Sequence, residues 1–494
     1  MVRTKGKFAS DVLLLTLGSF LAQVVSVAAA PAMTRLFSPE AFGIATLFTS
    51  ITGVVGVAVC LRYDRSIIVP ESDDDAAYLV EGSALAVLVF TVLSVVFVAC
   101  ARGMISRWLN APELSGYLWL LPLNLFFYGN LAALNTWGTR KKKFGLLTLV
   151  QLMSAVCYVG GSLAAGMSGR RSGGYLIVTA LLGSAISAVV MFVKTRSDYS
   201  RAATAPHNFS RMWQVLKRYA RFPKFSIASA LVSSTSTELP TFLLSGFFST
   251  TVVGQFALCS RLLRLPLGLI GTNIARVFSQ RASEAKYEGK LADLVASIFS
   301  HLVALGMFPF CILALIGKDL FVVVFGQRWA DAGIYAQILS VWAFFWFMST
   351  SLSVVLDIVE EQAFELRTNL LILVTRGASL IVGCLMGKPT IALGIFAACD
   401  GLVSCYYCFA IMKRCALAPG KMVGVLAVHF AMFVPAGLIL VSLRYFGVSP
   451  ITIVACAVLL CGFYYMNLLR ISPEVREVVA SLLRRFRVQE VAAS

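Results

Sequence analysis

The run ALAVLVFTVLSVVFVAC, residues 84–100, contains no charge, no proline and no glycine. A helix of about 20 mostly apolar residues crosses the roughly 30 Å hydrocarbon core of a bilayer. Only helices and closed barrels satisfy their own backbone groups in that medium. A barrel strand would alternate apolar and polar residues. This run does not alternate, so the segment reads as a transmembrane helix over about residues 80–101. Working outward, the same pattern recurs along the 494 residues, broken by short polar joints, and predicts fourteen spans. The chain is 59% hydrophobic and 13% charged. Soluble proteins carry about 25% charged residues, so lipid must cover much of this surface. The expected fold class is an all-α polytopic membrane protein. The N-terminal run from Val12 to Met33, preceded by Arg3, Lys5 and Lys7, ends near a signal-like Ala28-Ala29-Ala30. It exceeds the 7–15 residues of a signal core and reads as a retained first span.

Charge orients the spans. With the N-terminus inside, 30 of the 42 lysines and arginines fall on the cytoplasmic face and nine on the opposite face. Lysine and arginine concentrate in cytoplasmic loops, so both termini are expected in the cytoplasm. The net charge of +18 is then a topology signal, and no nucleic-acid partner is needed to explain it.

Repetition organises the chain further. Phe37-Ser-Pro-Glu-Ala-Phe-Gly43 matches Phe248-Ser-Thr-Thr-Val-Val-Gly254, and Arg107-Trp108 matches Arg328-Trp329. Each copy lies six spans after its counterpart, so the two halves share one orientation, related by an axis along the membrane normal. The expected domains are an N-terminal six-helix bundle (1–194), a cytoplasmic linker (195–224) and a C-terminal six-helix bundle (225–412). Two extra transmembrane helices (423–468) and an amphipathic cytoplasmic helix (472–488) follow. That last helix begins at Ser472-Pro473-Glu474 and carries Val475, Val478, Val479, Leu482, Leu483 and Phe486 on one face. Its arginines suit an anionic inner leaflet.

The joints also carry a resemblance. Leu36-Phe-Ser-Pro-Glu-Ala-Phe-Gly43 and Leu61-Arg-Tyr-Asp-Arg-Ser-Ile-Ile-Val-Pro70 resemble the opening of Wzx-type oligosaccharide flippases. Tyr219-Ala-Arg-Phe-Pro223, Leu239-Pro240, Arg261-Leu-Leu-Arg-Leu-Pro266 and Phe325-Gly-Gln-Arg-Trp-Ala-Asp-Ala-Gly333 are similar to that family too, in order along nearly the whole chain. The superfamily also holds MATE multidrug exporters and lipid II flippases. The resemblance implies two six-helix bundles around a V-shaped cavity. It implies an undecaprenyl-pyrophosphate-linked oligosaccharide moved from the cytoplasmic to the outer leaflet of the bacterial inner membrane for surface polysaccharide assembly. Membrane lipids are the other expected partners, with a polysaccharide polymerase as a further candidate.

Charges inside spans are costly and face a cavity or a partner. Arg261 and Arg264, at i and i+3, share one helix face. Glu238 lies mid-span on the preceding helix. Arginine binds pyrophosphate oxygens with two donors at once, so both arginines are candidate head-group ligands, and Arg62 is a weaker third. Glu238 is a candidate for pairing with an arginine or for carrying a proton. Arg376 and Asp400 read as a neutralising pair in the second half. Gln23, Asn124 and Asn273 suit either sugar hydroxyls or bonds across helices.

Other motifs read as structural. Asp73-Asp74-Asp75 sits where a helix begins, and negative charge is stabilising there. Cys405-Tyr-Tyr-Cys408 lacks a second pair at zinc-site spacing, and Gly383-Cys-Leu-Met-Gly-Lys388 is one residue short of a phosphate loop with no strand before it. No cofactor or metal is expected. No ATPase module fits the short joints, so ion or substrate gradients must supply the energy. A cation-coupled exporter of amphipathic drugs is the alternative within the same architecture, but arginines favour an anionic substrate. A membrane polymerase or ligase would need a large extracytoplasmic loop, and none is present in the predicted topology, so the chain is not read as an enzyme.

Overall fold

The computed structural model describes residues 18–202, 209–266, 286, 288 and 290–471. The expected amphipathic helix at 472–488 lies outside them. Among the described residues every regular element is helical, and the chain is an all-α polytopic membrane protein. Twelve of these helices are long and apolar enough to cross a bilayer, against fourteen expected. The two others are the seventh, whose helix is present but made polar by the run Ser233–Thr237, and the eighth, described only as far as residue 266. The chain divides into two compact units, Met1–Ala257 and Leu258–Ser494.

The first unit contains α1 (Gly18–Leu36), α2 (Pro39–Val59), α3 (Asp73–Trp108), α4 (Leu114–Arg140), α5 (Phe144–Met167) and α6 (Gly173–Ala202). The short α7 (Phe209–Arg218), α8 (Ile227–Phe247) and the first part of α9 (Thr250–Leu263) complete it. Ser38 caps α2 by accepting from the Ala41 amide at 3.2 Å, with Pro39 at the first helical position, where its missing N–H is not needed. Ser72 caps α3 in the same way through the Asp75 amide at 3.2 Å. α2 packs against α4, α6 and α8.

At the end of this unit where α3 begins, Tyr78, Trp137, Met191 and Leu216 share a buried cluster. α7 closes over it with Met212, Val215 and Leu216 turned inward. Arg140 holds the joint between α2 and α3. Its Nη1 donates to the carbonyls of Ile67, Ile68 and Pro70, at 3.1, 3.3 and 2.7 Å, and its Nε donates to Asp73 at 2.9 Å. Lys141 also donates to Asp73, and Arg211 and Arg218 lie 3.9 and 3.7 Å from Asp75. The acidic triplet therefore serves as a helix start and charge anchor. Among the described residues no group of His, Cys, Asp and Glu is arranged to hold a metal.

The two repeat motifs meet each other directly. A methyl carbon built on Gly43 would lie 1.8 Å from the Thr250 carbonyl oxygen, and one built on Gly254 would lie 1.8 Å from that of Pro39. Pro39 and Thr250 occupy the same position in the two copies, as do Gly43 and Gly254. The contact is reciprocal, as a local two-fold relation requires.

The second unit contains α10 (Leu291–Phe325), α11 (Ala330–Leu352), α12 (Gln362–Leu385), α13 (Pro389–Arg414), α14 (Pro419–Tyr445) and α15 (Pro450–Ile471). α11 is its centre, packed against α10 and α13, and α12 packs on α13. α10 and α11 approach through Gly317 and Gly333, each lying against the other's backbone carbonyl. α14 and α15 attach to the far side of α10. There Phe308 stacks on Tyr464, with centroids 4.2 Å apart and rings within 8° of parallel. Pro309 inside α10 cannot donate to the Leu305 carbonyl one turn back. The Tyr465 hydroxyl donates to that carbonyl instead at 2.7 Å, and Tyr464 donates to the adjacent Ala304 carbonyl at 2.8 Å. The last helix thus repairs a defect in the helix it covers.

Candidate functional site

In the first unit, Glu238 lies mid-way along α8 and faces α2. The Ser50 hydroxyl donates to its Oε2 at 2.5 Å, and Ser234, one turn away, donates to the Gly53 carbonyl at 2.9 Å. Two of the polar residues that lower the hydropathy of α8 thus bond to α2, while Thr237 donates to the Ser233 carbonyl of its own helix at 3.0 Å. Asn124 is also engaged across helices, donating to Thr52 Oγ1 at 3.0 Å. Asn273 lies outside the described residues.

Arg62 stands just past the end of α2, in a joint where Leu61 and Arg62 both take left-handed backbone, φ +48° and +61°. That conformation costs a non-glycine residue about 1–2 kcal/mol. It turns the chain sharply and places Arg62 beside Asp64, with the Arg62 Nε buried and without a hydrogen-bond partner among the described residues. Asp64 is buried, which raises its carboxyl above the ordinary value, and Arg62 and then Arg65 oppose the rise. The neighbouring Tyr63 hydroxyl donates to the Leu216 carbonyl at 3.1 Å, tying the joint to α7.

In the second unit, Asp400 on α13 is fully buried. Its Oδ2 accepts from Arg376 Nη2 of α12 at 2.9 Å and from the Trp342 indole N–H of α11 at 2.5 Å, while its Oδ1 is buried without a hydrogen-bond partner among the described residues. The guanidinium of Arg376 also lies 5.8 Å from the Phe396 ring. Trp342 and Trp346, at i and i+4, share a face of α11 and stack within 10° of parallel at 5.6 Å. Above Trp346, 5.7 Å from its ring centre, sits the guanidinium of Arg264. Arg264 is exposed and continues the helical bonding of α9, its amide donating to the Ser260 carbonyl at 3.1 Å. Arg261 on the preceding turn is half-buried. A cation over an indole contributes about 0.5–2 kcal/mol, more as water is excluded.

Arg264, Trp346, Trp342, Asp400 and Arg376 therefore form one continuous string within the second unit. Sequence reasoning named Arg264, Arg376 and Asp400 and missed the two tryptophans between them. The signal was present, since two tryptophans one helical turn apart in a membrane span mark a common face. What the spacing does not reveal is which neighbours that face meets. The twelve cysteines are all free, and Cys408 packs with its Sγ toward the Phe345 carbonyl at 3.7 Å.

The fold is shared with solved transporters. The chain resembles the lipid II flippase MurJ in an inward closed conformation, with a TM-score of 0.68 at 13% identity, over 93% of this chain and 99% of that one. It resembles a multidrug resistance MATE family transporter of the MOP superfamily, in an inward-facing conformation, with a TM-score of 0.62 at 14% identity, over 80% and 94% of the two chains. A Vibrio cholerae MATE transporter follows at 0.53 and 13% identity, over 84% and 97%. No curated protein sequence matches the chain. The family model described as "Polysaccharide biosynthesis protein" matches residues 32–334, more than half of the sequence and on both sides of the repeat. The chain belongs to that polysaccharide biosynthesis protein family.

Proposed function

We propose that the protein is a flippase that moves an undecaprenyl-pyrophosphate-linked oligosaccharide from the cytoplasmic to the outer leaflet of the bacterial inner membrane, for O-antigen, capsule or exopolysaccharide assembly. The observation that carries the reading is the exposed Arg264, one turn from Arg261, with its guanidinium over Trp346 of a helix long and apolar enough to cross a bilayer. A guanidinium facing bare hydrocarbon costs about 3 kcal/mol or more, which favours placing an exposed arginine where water or an anion reaches it. Pyrophosphate oxygens supply the acceptors that a guanidinium engages two at a time. Membership of a polysaccharide biosynthesis family supports the same substrate class. Both termini lie in the cytoplasm, as the loop charges indicate. The reading assigns head-group contact to Arg261 and Arg264 and an auxiliary role to Arg62. No bond of the substrate is made or broken.

Deleting the gene should abolish one surface polysaccharide, and Arg261→Ala or Arg264→Ala proteins that still accumulate should fail to restore it. Full restoration by both variants would refute the assignment. A cation-coupled drug exporter is the second reading, favoured by the carboxylate of Glu238 within a span and by the MATE likeness. It expects the deletion to sensitise cells to cationic amphipathic drugs with surface polysaccharide intact.

A further inference from the structure

The buried ion pair and the candidate head-group arginine are joined by aromatic stacking, and that connection has a functional consequence. Trp342 has little freedom to turn. Its indole N–H is held by Asp400 at 2.5 Å, and the Phe396 ring lies 5.0 Å away. Asp400 is held in turn by Arg376 at 2.9 Å. Trp346 lies against this fixed ring, nearly parallel to it. Arg264 rests on Trp346 while its side chain remains exposed. An arginine side chain carries about 2 kcal/mol of rotamer entropy. A surface that already holds the guanidinium in place lowers what an incoming anion must offset to order it.

We propose that Trp346 positions Arg264 for an anionic lipid head group, and that the Arg376–Asp400–Trp342 string holds Trp346 in that position. The inference rests on the flippase reading above and names the device by which that site selects a charged lipid. Trp346 does not bind the lipid. It acts through Arg264, and Asp400 acts through Trp342. The buried pair, which by itself is weak evidence for stability, thereby has a role in recognition.

The test is a double-mutant cycle on the purified full chain, with undecaprenyl pyrophosphate as probe and undecaprenol as its uncharged control. Arg264→Ala and Trp346→Leu should each weaken undecaprenyl pyrophosphate binding about tenfold and leave undecaprenol unchanged. The double variant should bind no worse than Arg264→Ala alone. Trp346→Phe, which keeps an aromatic face, should recover most of the loss. Trp342→Phe, which keeps a ring but loses the N–H, should weaken binding in the Arg264 protein and have no effect in the Arg264→Ala protein. That last pair carries the same comparison if Trp346→Leu fails to accumulate. Additive losses, or equal losses for the charged and uncharged lipids, would overturn the positioning role while leaving the flippase reading intact. A wild-type protein with no preference for the pyrophosphate would overturn the substrate reading and the inference with it.

Discussion

Replacing Gly43 by alanine puts a methyl carbon 1.8 Å from the carbonyl oxygen of Thr250, and replacing Gly254 puts one 1.8 Å from the carbonyl oxygen of Pro39. Carbon and carbonyl oxygen settle at about 3.3–3.6 Å, so α2 and α9 must part by about 1.5 Å to admit either methyl. The obstacle is backbone in both cases, so no side chain can rotate out of the way. Overpacking of this kind costs about 1–3 kcal/mol, and the lost close approach of the two backbones adds about 0.5–1 kcal/mol for each Cα–H···O contact given up. Because the contact is reciprocal, the two single variants should be destabilised alike. Because one separation makes room for both methyls, the double variant should lose little more than either single one. Gly53, on the same α2, has no atom within 4 Å of its added carbon. Gly53→Ala should be neutral or slightly stabilising, since glycine within a helix is unfavourable by about 0.5–1 kcal/mol. Thermal unfolding of the detergent-solubilised proteins measures all four. Unchanged melting in Gly43→Ala, or a double variant showing the sum of the single losses, would refute the reasoning.

Three further predictions follow from the same structure. Arg376→Met leaves Asp400 charged and buried with Trp342 as its remaining donor among the two bonded to Oδ2; it should lower stability by about 3–5 kcal/mol, and Arg376→Met with Asp400→Asn should restore most of it, both read from thermal melts. Arg140→Lys removes the fork that gathers the carbonyls of Ile67, Ile68 and Pro70; trypsin cleavage after the neighbouring exposed Arg65 should accelerate, while Lys142→Ala leaves it unchanged. Asp64 has a carboxyl raised by burial, so its folded form favours the proton. The native protein therefore loses stability as pH rises from about 3.9 through the folded value. Asp64→Asn should raise the melting temperature at pH 7, with the gain shrinking toward pH 4; an equal gain at both pH values would contradict this account.

Much of the fold was legible because its signals are local. Ser38-Pro39 and Ser72-Asp73 announce the starts of α2 and α3, since the first helical amides need an acceptor whatever the rest of the chain does. The span count was less secure at α8. Its serines and threonines make it polar by composition, and Ser234 and Glu238 find partners on α2 that composition cannot name. The Asp73–Asp75 triplet was readable as a helix start, but its partners Arg140, Lys141, Arg211 and Arg218 come from two other elements. Arg140 itself looked like one member of a basic run.

The candidate site divides in the same way. Hydropathy and the recurrence of Phe-Ser-x-x-x-x-Gly depend on order along the chain, so the amino-acid sequence alone determined a polytopic helical protein and a motif that occurs twice in it. Helical spacing also determined that Trp342 and Trp346 share a face, and that Arg261 and Arg264 do. Which faces meet depends on how each helix is rotated about its axis, and that is decided by close contacts between helices, such as Gly317 against Gly333 and Gly383 against Ala392. Only the tertiary structure therefore joined Arg264 to Trp346, Trp342 to Asp400, and Gly43 to its own repeat, because each of those contacts is set by packing between helices and by nothing within one.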